Sequence, residues 1–183
     1  MKRIAVIDTE TNWSDQVMSI GTVIADGNTL ELVAVKYHIL PLECDIGGMY
    51  ASELYLDTPV RPVLCSREDA MCDLLAWFSQ YGVQSVFAYN AAFDRNHLPE
   101  LRGMKWYDIM RLAAYRQYNP KIPASADCFG TGRLKRGYGV EPMLRLLSGD
   151  RTYHETHNAV FDALDELEIM RLLGYAPAKY IPL

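Results

Sequence analysis

Near the start of the chain, a short apolar segment runs directly into two acids. Ile4 to Ile7 are four consecutive apolar residues, and Asp8, Thr9 and Glu10 follow them. An apolar run of this length predicts a buried strand, on which residues two apart share one face, so the carboxylates of Asp8 and Glu10 would lie roughly 7 Å apart. Carboxylates this close repel one another, and a divalent cation removes the conflict because Mg²⁺ and Mn²⁺ prefer carboxylate oxygens. On this pair alone, a metal site and a simple surface pair at the end of a strand both remain open.

Strand, turn and helix signals along the chain predict an α/β fold in one domain, residues 1–183. Residues 2–8, 17–26 and 29–40 are predicted strands, and the turn residues at 26–28 tolerate positive φ, so the second and third strands should form a hairpin. The other predictions are an irregular segment at 41–65, a helix at 66–82, a strand at 85–90, a helix at 91–101, a strand at 105–109 that leads into a helix to 118, an irregular segment at 119–140, a short helix at 141–149 and a helix at 158–173. Three antiparallel strands followed by alternating helices and strands imply a mixed central sheet with helices packed on it.

Composition and charge limit the class of protein. Half of the 183 residues are hydrophobic and 22% are charged, which is ordinary for a globular domain and argues against disorder. No apolar run approaches the ~20 residues of a membrane span, and the apolar run near the start is too short for a signal peptide. The four cysteines form no C-x-x-C pair and have no zinc-type spacing, so we expect reduced thiols in a cytoplasmic protein with no membrane partner. The net charge of −5 neither favours nor excludes nucleic acid, because a local basic patch or bound cations can reverse the sign at a site.

A second acid lies just after a predicted strand. In the segment VFAYNAAFDRNHL (86–98), Asn90 ends the strand and Asp94 lies about one turn into the next helix. Phe93 is predicted to contact the core, which would bring Asp94 to the carboxyl end of the sheet, where α/β folds usually carry their sites. Taken alone, an exposed helical aspartate is the simpler interpretation.

The last helix supplies a third acid and a histidine. The apolar positions predicted to face the core are Val160, Ala163, Leu164, Leu167 and Met170. Asp162 lies off that stripe, and we place Asp165 and Glu166 on the polar side of the helix. His157 precedes the helix and can reach over a site from the loop. A lone loop histidine is more often a solvated surface residue, the class to which we assign His154.

Three segments in this order resemble the motifs of the DEDDh family of 3′–5′ exonucleases. DTET (8–11), NAAFD (90–94) and HNAVFD (157–162) resemble the D-x-E, N-x-x-F-D and H-x-x-x-x-D motifs of that family, and the resemblance covers nearly the whole chain. IGTVIAD (20–26) resembles the family's second strand, and YDIMRLA (107–113) resembles a helix entry in which we take Asp108 as structural. The family includes proofreading exonucleases, oligoribonuclease, RNase T and exonuclease X. The resemblance implies a ribonuclease H-like fold.

The same resemblance implies a mechanism. Asp8, Glu10 and Asp162 would bind one Mg²⁺ or Mn²⁺ ion, and Asp8 would bind a second, with Asp94 contributing directly or through water. Two such ions can stabilise an in-line displacement at phosphorus. His157 would be the general base, since an ordinary histidine pKa of about 6.5 suits proton transfer near neutral pH. The products would be nucleoside 5′-monophosphates released from the 3′ end of single-stranded DNA or RNA, and the cations would compensate the charge of the acid pair.

Further residues are candidates for binding the nucleic acid. They are Thr9 and Asn90, beside the acids of the motifs, and Arg133, Lys135, Arg136 and Tyr138 in the segment GRLKRGYG (132–139). The basic segment would follow the phosphate backbone and offer one stacking aromatic, and a merely solvated basic loop remains equally open. Nothing in the sequence chooses DNA or RNA, or monomer or homodimer, and no specific protein partner is predicted.

Departures from the family and two other classes of protein bear on this interpretation. Residues 44–62 lack the Gly-Ile-Thr-like pattern of many family members, which leaves substrate preference open, and Ser19 stands where many members have Glu, a change we interpret as structural. A phosphatase of the haloacid-dehalogenase type would carry D-x-D followed by Gly-Thr, whereas Glu10 takes the second acidic position here and no Gly follows. A non-catalytic nucleic-acid-binding module on the same fold would be expected to lack at least one of the five site residues, and none is lacking.

Overall fold

A mixed sheet of six strands forms the centre of the protein. The structure, a computed structural model, describes residues 3–183. The strands are β1 (Arg3–Thr11), β2 (Val17–Asp26), β3 (Leu32–Ile39), β4 (Val63–Leu64), β5 (Val83–Ala88) and β6 (Lys105–Asp108), and their order across the sheet is β4-β3-β2-β1-β5-β6. The first three strands pair antiparallel, which confirms the predicted mixed sheet, whereas β4 runs parallel to β3, and β5 and β6 run parallel to β1.

Helices cover both faces of this sheet. They are α1 (Pro41–Cys44), α2 (Arg67–Tyr81), α3 (Ala92–His97), α4 (Met110–Ala113), α5 (Val140–Ser148) and α6 (Ala159–Leu173), with 3-10 turns at Glu53–Tyr55, Pro99–Leu101 and Pro177–Lys179. Across residues 3–183, no helix combines the length and the apolar character that crossing a membrane requires. All four cysteines are free thiols.

Strand β1 contributes to two separate cores. Val6 packs in the cluster that contains α5 and α6, whereas Ile7 packs in the cluster that contains α2. Side chains alternate along a strand, so Asp8 and Glu10 continue the face of Val6. The local alternation therefore turns both acids toward the side of the sheet that α6 covers.

Helices α2 and α6 begin and end where the sequence predicts. The Ser66 hydroxyl accepts a backbone N–H from the first turn of α2, and Gly82 ends the helix with φ of 67°. The Asn158 side chain accepts a backbone N–H in the first turn of α6, and Gly174 ends that helix with φ of 69°. Glycine adopts the left-handed conformation at a helix end without a steric penalty.

Two of the predicted helices are wrong in length. The helix predicted at 91–101 is the six-residue α3 followed by a separate 3-10 turn at Pro99–Leu101, because Pro99 has no N–H with which to continue the helical ladder. The helix predicted to reach residue 118 ends as α4 at Ala113. Its last carbonyls have other partners: the Ala113 oxygen accepts the Asn119 side-chain amide at 2.6 Å, and the Ala114 oxygen accepts the N–H of Leu134 at 3.0 Å.

Strand ends and the segment 41–65 also differ from the prediction. Strand β1 continues to Thr11, three residues beyond its predicted end at 8, so Glu10 as well as Asp8 lies within the strand. Position 2 of the prediction falls outside the described residues. In the β2–β3 turn, positive φ falls at Leu30 (59°) and not at 26–28. The Asp26 carboxylate accepts the N–H groups of Asn28 and Thr29, and this turn delays the start of β3 to Leu32. The segment 41–65 is not wholly irregular, since it holds α1, a 3-10 turn and β4.

Gly21 allows α6 to approach the sheet closely. It lies opposite Asp8 in the β1–β2 ladder. A Cβ added to Gly21 would lie 1.9 Å from the carbonyl oxygen of Ala159, the first residue of α6. Only a residue without a side chain fits there, so Gly21 is what permits the start of α6, with Asp162 in its first turn, to lie against the acid-bearing end of β1.

Candidate metal centre

Three of the predicted site residues meet where β1 and α6 come together. Glu10, His157 and Asp162 each offer one ligand atom, and these atoms lie within 4.8 Å of one another. Glu10 comes from β1, Asp162 from the first turn of α6 and His157 from the loop just before that helix. The alternation of β1 and the close approach at Gly21 together account for this meeting.

The backbone holds His157 in an uncommon conformation. Its φ is 55°, in the left-handed region that costs a non-glycine residue roughly 1–3 kcal/mol and that often occurs at functional sites. The next residue, Asn158, is fully buried, and its side-chain amide donates to the Glu53 carbonyl at 2.7 Å and to the Tyr37 hydroxyl at 3.2 Å. These hydrogen bonds anchor the turn and hold His157 over the acids.

Asp94 approaches the acid pair from α3. Its side chain is 2% exposed, and its Oδ1 accepts the Thr9 hydroxyl at 2.8 Å. Asp94 is also close enough to Asp8 for its negative charge to raise the pKa of Asp8. The structure thus brings all four predicted acids and His157 into one region, and the hydroxyl of Thr9, a candidate for substrate binding, is used to hold Asp94.

Burial and mutual repulsion disfavour the charged forms of these carboxylates. Burial raises the pKa of Asp162 to about 9 and that of Glu10 to about 8, and the nearby Glu155 carboxylate adds to both shifts. Burial also raises the pKa of Asp94 to about 7. For Asp8, burial and then the charge of Asp94 raise the pKa well above its ordinary value. Without a compensating positive charge, ionisation of each of these groups lowers the stability of the folded protein.

The buried oxygens of the cluster fit divalent cations. Among residues 3–183, Asp8 Oδ2 and Asp162 Oδ1 are buried without a hydrogen-bond partner. Buried polar atoms almost always have a partner, and an ionised carboxylate can only accept. Oxygen ligands that carry negative charge and converge on one place suit Mg²⁺ or Mn²⁺, which are hard cations.

Two further acids lie near the site, and the sequence does not predict either of them there. The predicted position of Glu166 on the polar side of α6 is wrong, because Glu166 is 1% exposed and its charge raises the pKa of Asp8. The signal for it was its spacing, since Glu166 lies one helical turn after Asp162 and residues four apart share a helix face. Glu155, in the loop before α6, raises the pKa of Glu10, and no spacing in the sequence indicates its role.

An open cleft of about 290 Å³ adjoins the acids. Its walls are the acid-bearing end of β1 together with Trp13, Met49, Tyr50 and Phe93. Phe93 is 39% exposed, so the prediction that it contacts the core is wrong; α3 turns its neighbour Asp94 inward instead. Because Trp13 and Met49 are also largely exposed, the cleft presents apolar and aromatic surface beside the carboxylates.

Asn90 and Asp108 lie at the adjacent end of β5 and β6. The Asp108 carboxylate accepts the backbone N–H of Asn90 at 3.1 Å and that of Met110 at 3.0 Å. These bonds agree with the structural role expected for Asp108. Asn90 has φ of 61° and is exposed, so its side chain is open to a ligand.

The predicted basic segment forms a separate surface cluster. The Arg133 guanidinium lies 4.9 Å from the ring centroid of Phe129 and 5.1 Å from that of Tyr138. Lys135 pairs with Asp127 at 3.0 Å, and Arg136 is exposed. The structure does not bring these side chains into the cluster of ligand atoms around Glu10, so any part they play lies outside the acid site.

Comparison with solved structures identifies the fold. The chain superimposes over its full length on the nuclease domain of 3′hExo, a DEDDh family member solved bound to rAMP, with a TM-score of 0.66 at 15% identity over 96% of that chain. A full-length 3′-exonuclease matches with a TM-score of 0.64 at 13% identity over 90% of its chain. E. coli exonuclease I in complex with a dA16 oligonucleotide matches with a TM-score of 0.62 at 12% identity, where 98% of this chain covers 42% of that one.

These likenesses confirm the fold expected from the three motifs. The ribonuclease H-like mixed sheet, with its first strands antiparallel and helices packed on it, is shared with the DEDDh structure over the whole chain. No protein-family model and no curated protein matches the sequence.

Proposed function

We propose that the protein is a metal-dependent 3′–5′ exonuclease of the DEDDh type. It would hydrolyse single-stranded DNA or RNA and release nucleoside 5′-monophosphates. The observation that carries the proposal is the meeting of Glu10, Asp162 and His157 within 4.8 Å, beside the buried carboxylates of Asp8 and Asp94. The same fold in solved 3′-exonucleases supports it.

The four carboxylates would hold two Mg²⁺ or Mn²⁺ ions. Glu10 and Asp162 meet where β1 and α6 come together, and Asp8 lies close enough for the charges of Asp94 and Asp162 to raise its pKa. The Thr9 hydroxyl fixes the orientation of Asp94. When bound, such ions supply positive charge to the transferring phosphoryl group and to its entering and leaving oxygens. The partnerless oxygens of Asp8 and Asp162, among the described residues, support this assignment.

His157 would take the proton of the attacking water. A general base must hold a nitrogen within hydrogen-bond reach of the proton that it removes. The anchored turn at Asn158 keeps the imidazole over Glu10 and Asp162, where that water would lie. His154, which is exposed and interacts with Arg145 and Glu141, has no such position.

The strand would enter through the open cleft. Trp13 and Phe93 offer exposed aromatic surface next to the acids, and bases stack on such rings in a manner that tolerates any sequence. The cluster of Arg133, Phe129 and Tyr138 would contact the nucleic-acid strand farther from its 3′ end. The guanidinium would bind phosphates, and the aromatic rings would stack on bases. Stacking and phosphate contacts do not distinguish DNA from RNA, so that choice depends on contacts with the 2′-hydroxyl.

A time course on 5′-labelled single-stranded DNA and RNA tests the proposal. Wild-type protein with Mn²⁺ or Mg²⁺ should produce a ladder that shortens by one nucleotide at a time, and chelator should stop it. The released product should be the nucleoside 5′-monophosphate. Release of inorganic phosphate alone would indicate a phosphatase, and binding of the strand without turnover would indicate a non-catalytic module; either result would refute the proposal.

A further inference from the structure

Tyr50 covers one face of the His157 ring. The two ring centroids are 4.0 Å apart and the ring planes differ by 14°. Such a parallel arrangement is a stacking contact between aromatic rings. Tyr50 belongs to the stretch 44–62, which lacks the Gly-Ile-Thr-like pattern of many family members.

The loop that carries Tyr50 is held on both sides of the residue. Before it, the Gly47 carbonyl accepts the N–H of Trp13 at 3.0 Å, which ties the loop to the end of β1. After it, the Glu53 carbonyl accepts the side-chain amide of Asn158 at 2.7 Å. Asn158 is the residue next to His157, so the same hydrogen bond fixes the loop and the histidine turn relative to each other.

A stacking partner suits a general base, because it holds the imidazole without occupying either of its nitrogens. Both nitrogens of an imidazole lie on the edge of the ring, and a ring stacked on the face leaves that edge free. His157 also occupies a left-handed backbone conformation with φ of 55°, and such conformations persist where surrounding structure over-determines them. Tyr50 and Asn158 supply that surrounding structure. Tyr50 holds the side chain of His157, and Asn158 holds the backbone beside it.

We propose that Tyr50 is a positioning residue that fixes the plane of the His157 imidazole over the acid cluster. The proposal rests on the proposed nuclease function, in which His157 removes the proton from water. The contact of Tyr50 on which the proposal rests is with the His157 ring, and Tyr50 acts through the histidine.

Kinetics of Tyr50→Ala and Tyr50→Phe test the positioning role. Tyr50→Ala should lower kcat by about 10- to 100-fold with KM changed less than about 2-fold, since misplacement of a catalytic group by 1 Å can cost on the order of 100-fold. Tyr50→Phe keeps the stacking ring and should retain most of the activity. Tyr55→Ala is the matched control, because Tyr55 lies in the same loop and is 61% exposed, and it should leave kcat unchanged.

A double-mutant cycle asks whether Tyr50 acts through His157. In a His157→Asn background there is no imidazole to position, so Tyr50→Ala should have less than about a 2-fold further effect on kcat. An equal loss of kcat in both backgrounds would overturn the proposal. So would a rise in KM with kcat unchanged, which would make Tyr50 a substrate-binding residue.

A measurement that needs neither turnover nor a Tyr50 variant separates this proposal from the nuclease assignment. In the NMR spectrum of the wild-type protein, the His157 Cε1–H signal, assigned by its loss in His157→Asn, should be shifted upfield by the Tyr50 ring current. An unshifted signal would overturn the proposed contact even in an active enzyme. An inactive protein with the shifted signal would refute the nuclease while leaving Tyr50 as the residue that orients His157.

Discussion

At Glu10 and Asp162, burial acts against the charge that a carboxylate normally carries. Their pKa values of about 8 and about 9 are far above the ordinary range, and Asp8 and Glu166 beside them are shifted in the same direction. A protein selected only for stability gains nothing from such a cluster. Strongly perturbed acids in a cleft instead indicate a functional site.

Asp162→Asn tests the metal-ligand role of a single acid. Asparagine has nearly the same shape but carries no charge, so exonuclease activity should fall by at least about 100-fold, the scale of loss when a catalytic electrostatic group is removed. The metal-free variant should be at least as stable as the wild type near pH 8, because asparagine folds without binding the proton that Asp162, with a folded pKa of about 9, must take up. The measurement pairs turnover on a labelled strand with thermal unfolding.

Asp57→Asn is the control for that substitution, since Asp57 is exposed and lies outside the cluster. It should change neither activity nor stability. Retention of more than a tenth of wild-type activity by Asp162→Asn would refute the assignment of Asp162 as a metal ligand.

His157→Asn tests the general base. Turnover should fall by roughly 10²–10⁴-fold, the usual contribution of general acid–base catalysis. The fold should be retained, because asparagine adopts the left-handed backbone conformation of this position more readily than most residues do. His154→Asn removes an exposed histidine three residues away and should have no effect; if the two variants behave alike, His157 is a surface residue and not the base.

At the scale of elements, the site depends on how closely α6 lies against β2. Gly21 permits this close packing because it has no side chain. It pairs with Asp8 in the sheet, so the first turn of α6, with Asp162, lies next to Asp8. The first turn of α6, its Asn158 cap and the end of β1 therefore act as one unit. A change in the sheet at this point should displace the helix and separate the acids.

Gly21→Ala should damage both stability and activity. The added methyl group would overlap the Ala159 carbonyl, at 1.9 Å, so α6 must shift; overpacking of this kind costs about 1–3 kcal/mol or more. The midpoint of denaturant unfolding and turnover should both fall. Gly103→Ala is the matched control, because a Cβ at Gly103 meets no atom within 4 Å among the described residues, and equal behaviour of the two variants would contradict the packing argument.

The elements also show how far the sequence alone could predict the fold and the site. Helices with explicit capping residues, such as α2 with Ser66 and Gly82, were predicted nearly to the residue, because the capping signal is local. The length of the helix that contains α4 was not, because the carbonyl of Ala114, just after its last residue, accepts the N–H of Leu134 from a distant part of the chain. In the site, strand alternation predicts that Asp8 and Glu10 lie together. The burial of Glu166 depends on where α6 packs, and its spacing from Asp162 is the one local signal for it.

The whole molecule carries a net charge of −5 and concentrates several acids at one end of its sheet. An acidic protein that binds an acidic polymer needs positive charge at the point of contact. The proposed cations would supply it at the acids, and the cluster around Arg133 would supply it elsewhere on the strand. The net charge is therefore compatible with the proposed substrate.

The stability of the metal-free protein should decrease as the pH rises. Glu10, Asp94 and Asp162 have raised pKa values of about 8, 7 and 9 when folded, so between pH 5 and 9 the folded state binds more protons than the unfolded state. Stability then falls with pH over that window. A loss of a few kcal/mol corresponds to a decrease of about 5–10 °C in Tm for a chain of this size.

Thermal unfolding at several pH values, with chelator and with Mg²⁺ or Mn²⁺, checks this expectation. Added metal should raise Tm most at high pH, where the carboxylates are ionised, because a ligand that binds only the folded state stabilises it. Asp162→Asn should flatten the pH dependence in chelator. A Tm that is constant between pH 5 and 9, or that rises with pH in chelator, would show that folding does not raise the pKa values of these acids.

Anomalous scattering from crystals grown with Mn²⁺ shows whether the acids on β1, α3 and α6 hold divalent ions. Two Mn²⁺ peaks about 3.5–4 Å apart are expected, with Glu10 and Asp162 at one ion, Asp94 near the other and Asp8 at both. Asp162→Asn crystals should lose or weaken the peak that Asp162 holds. Mn²⁺ bound only elsewhere, or absent from this cluster at millimolar concentration with a nucleotide present, would refute the proposed metal site.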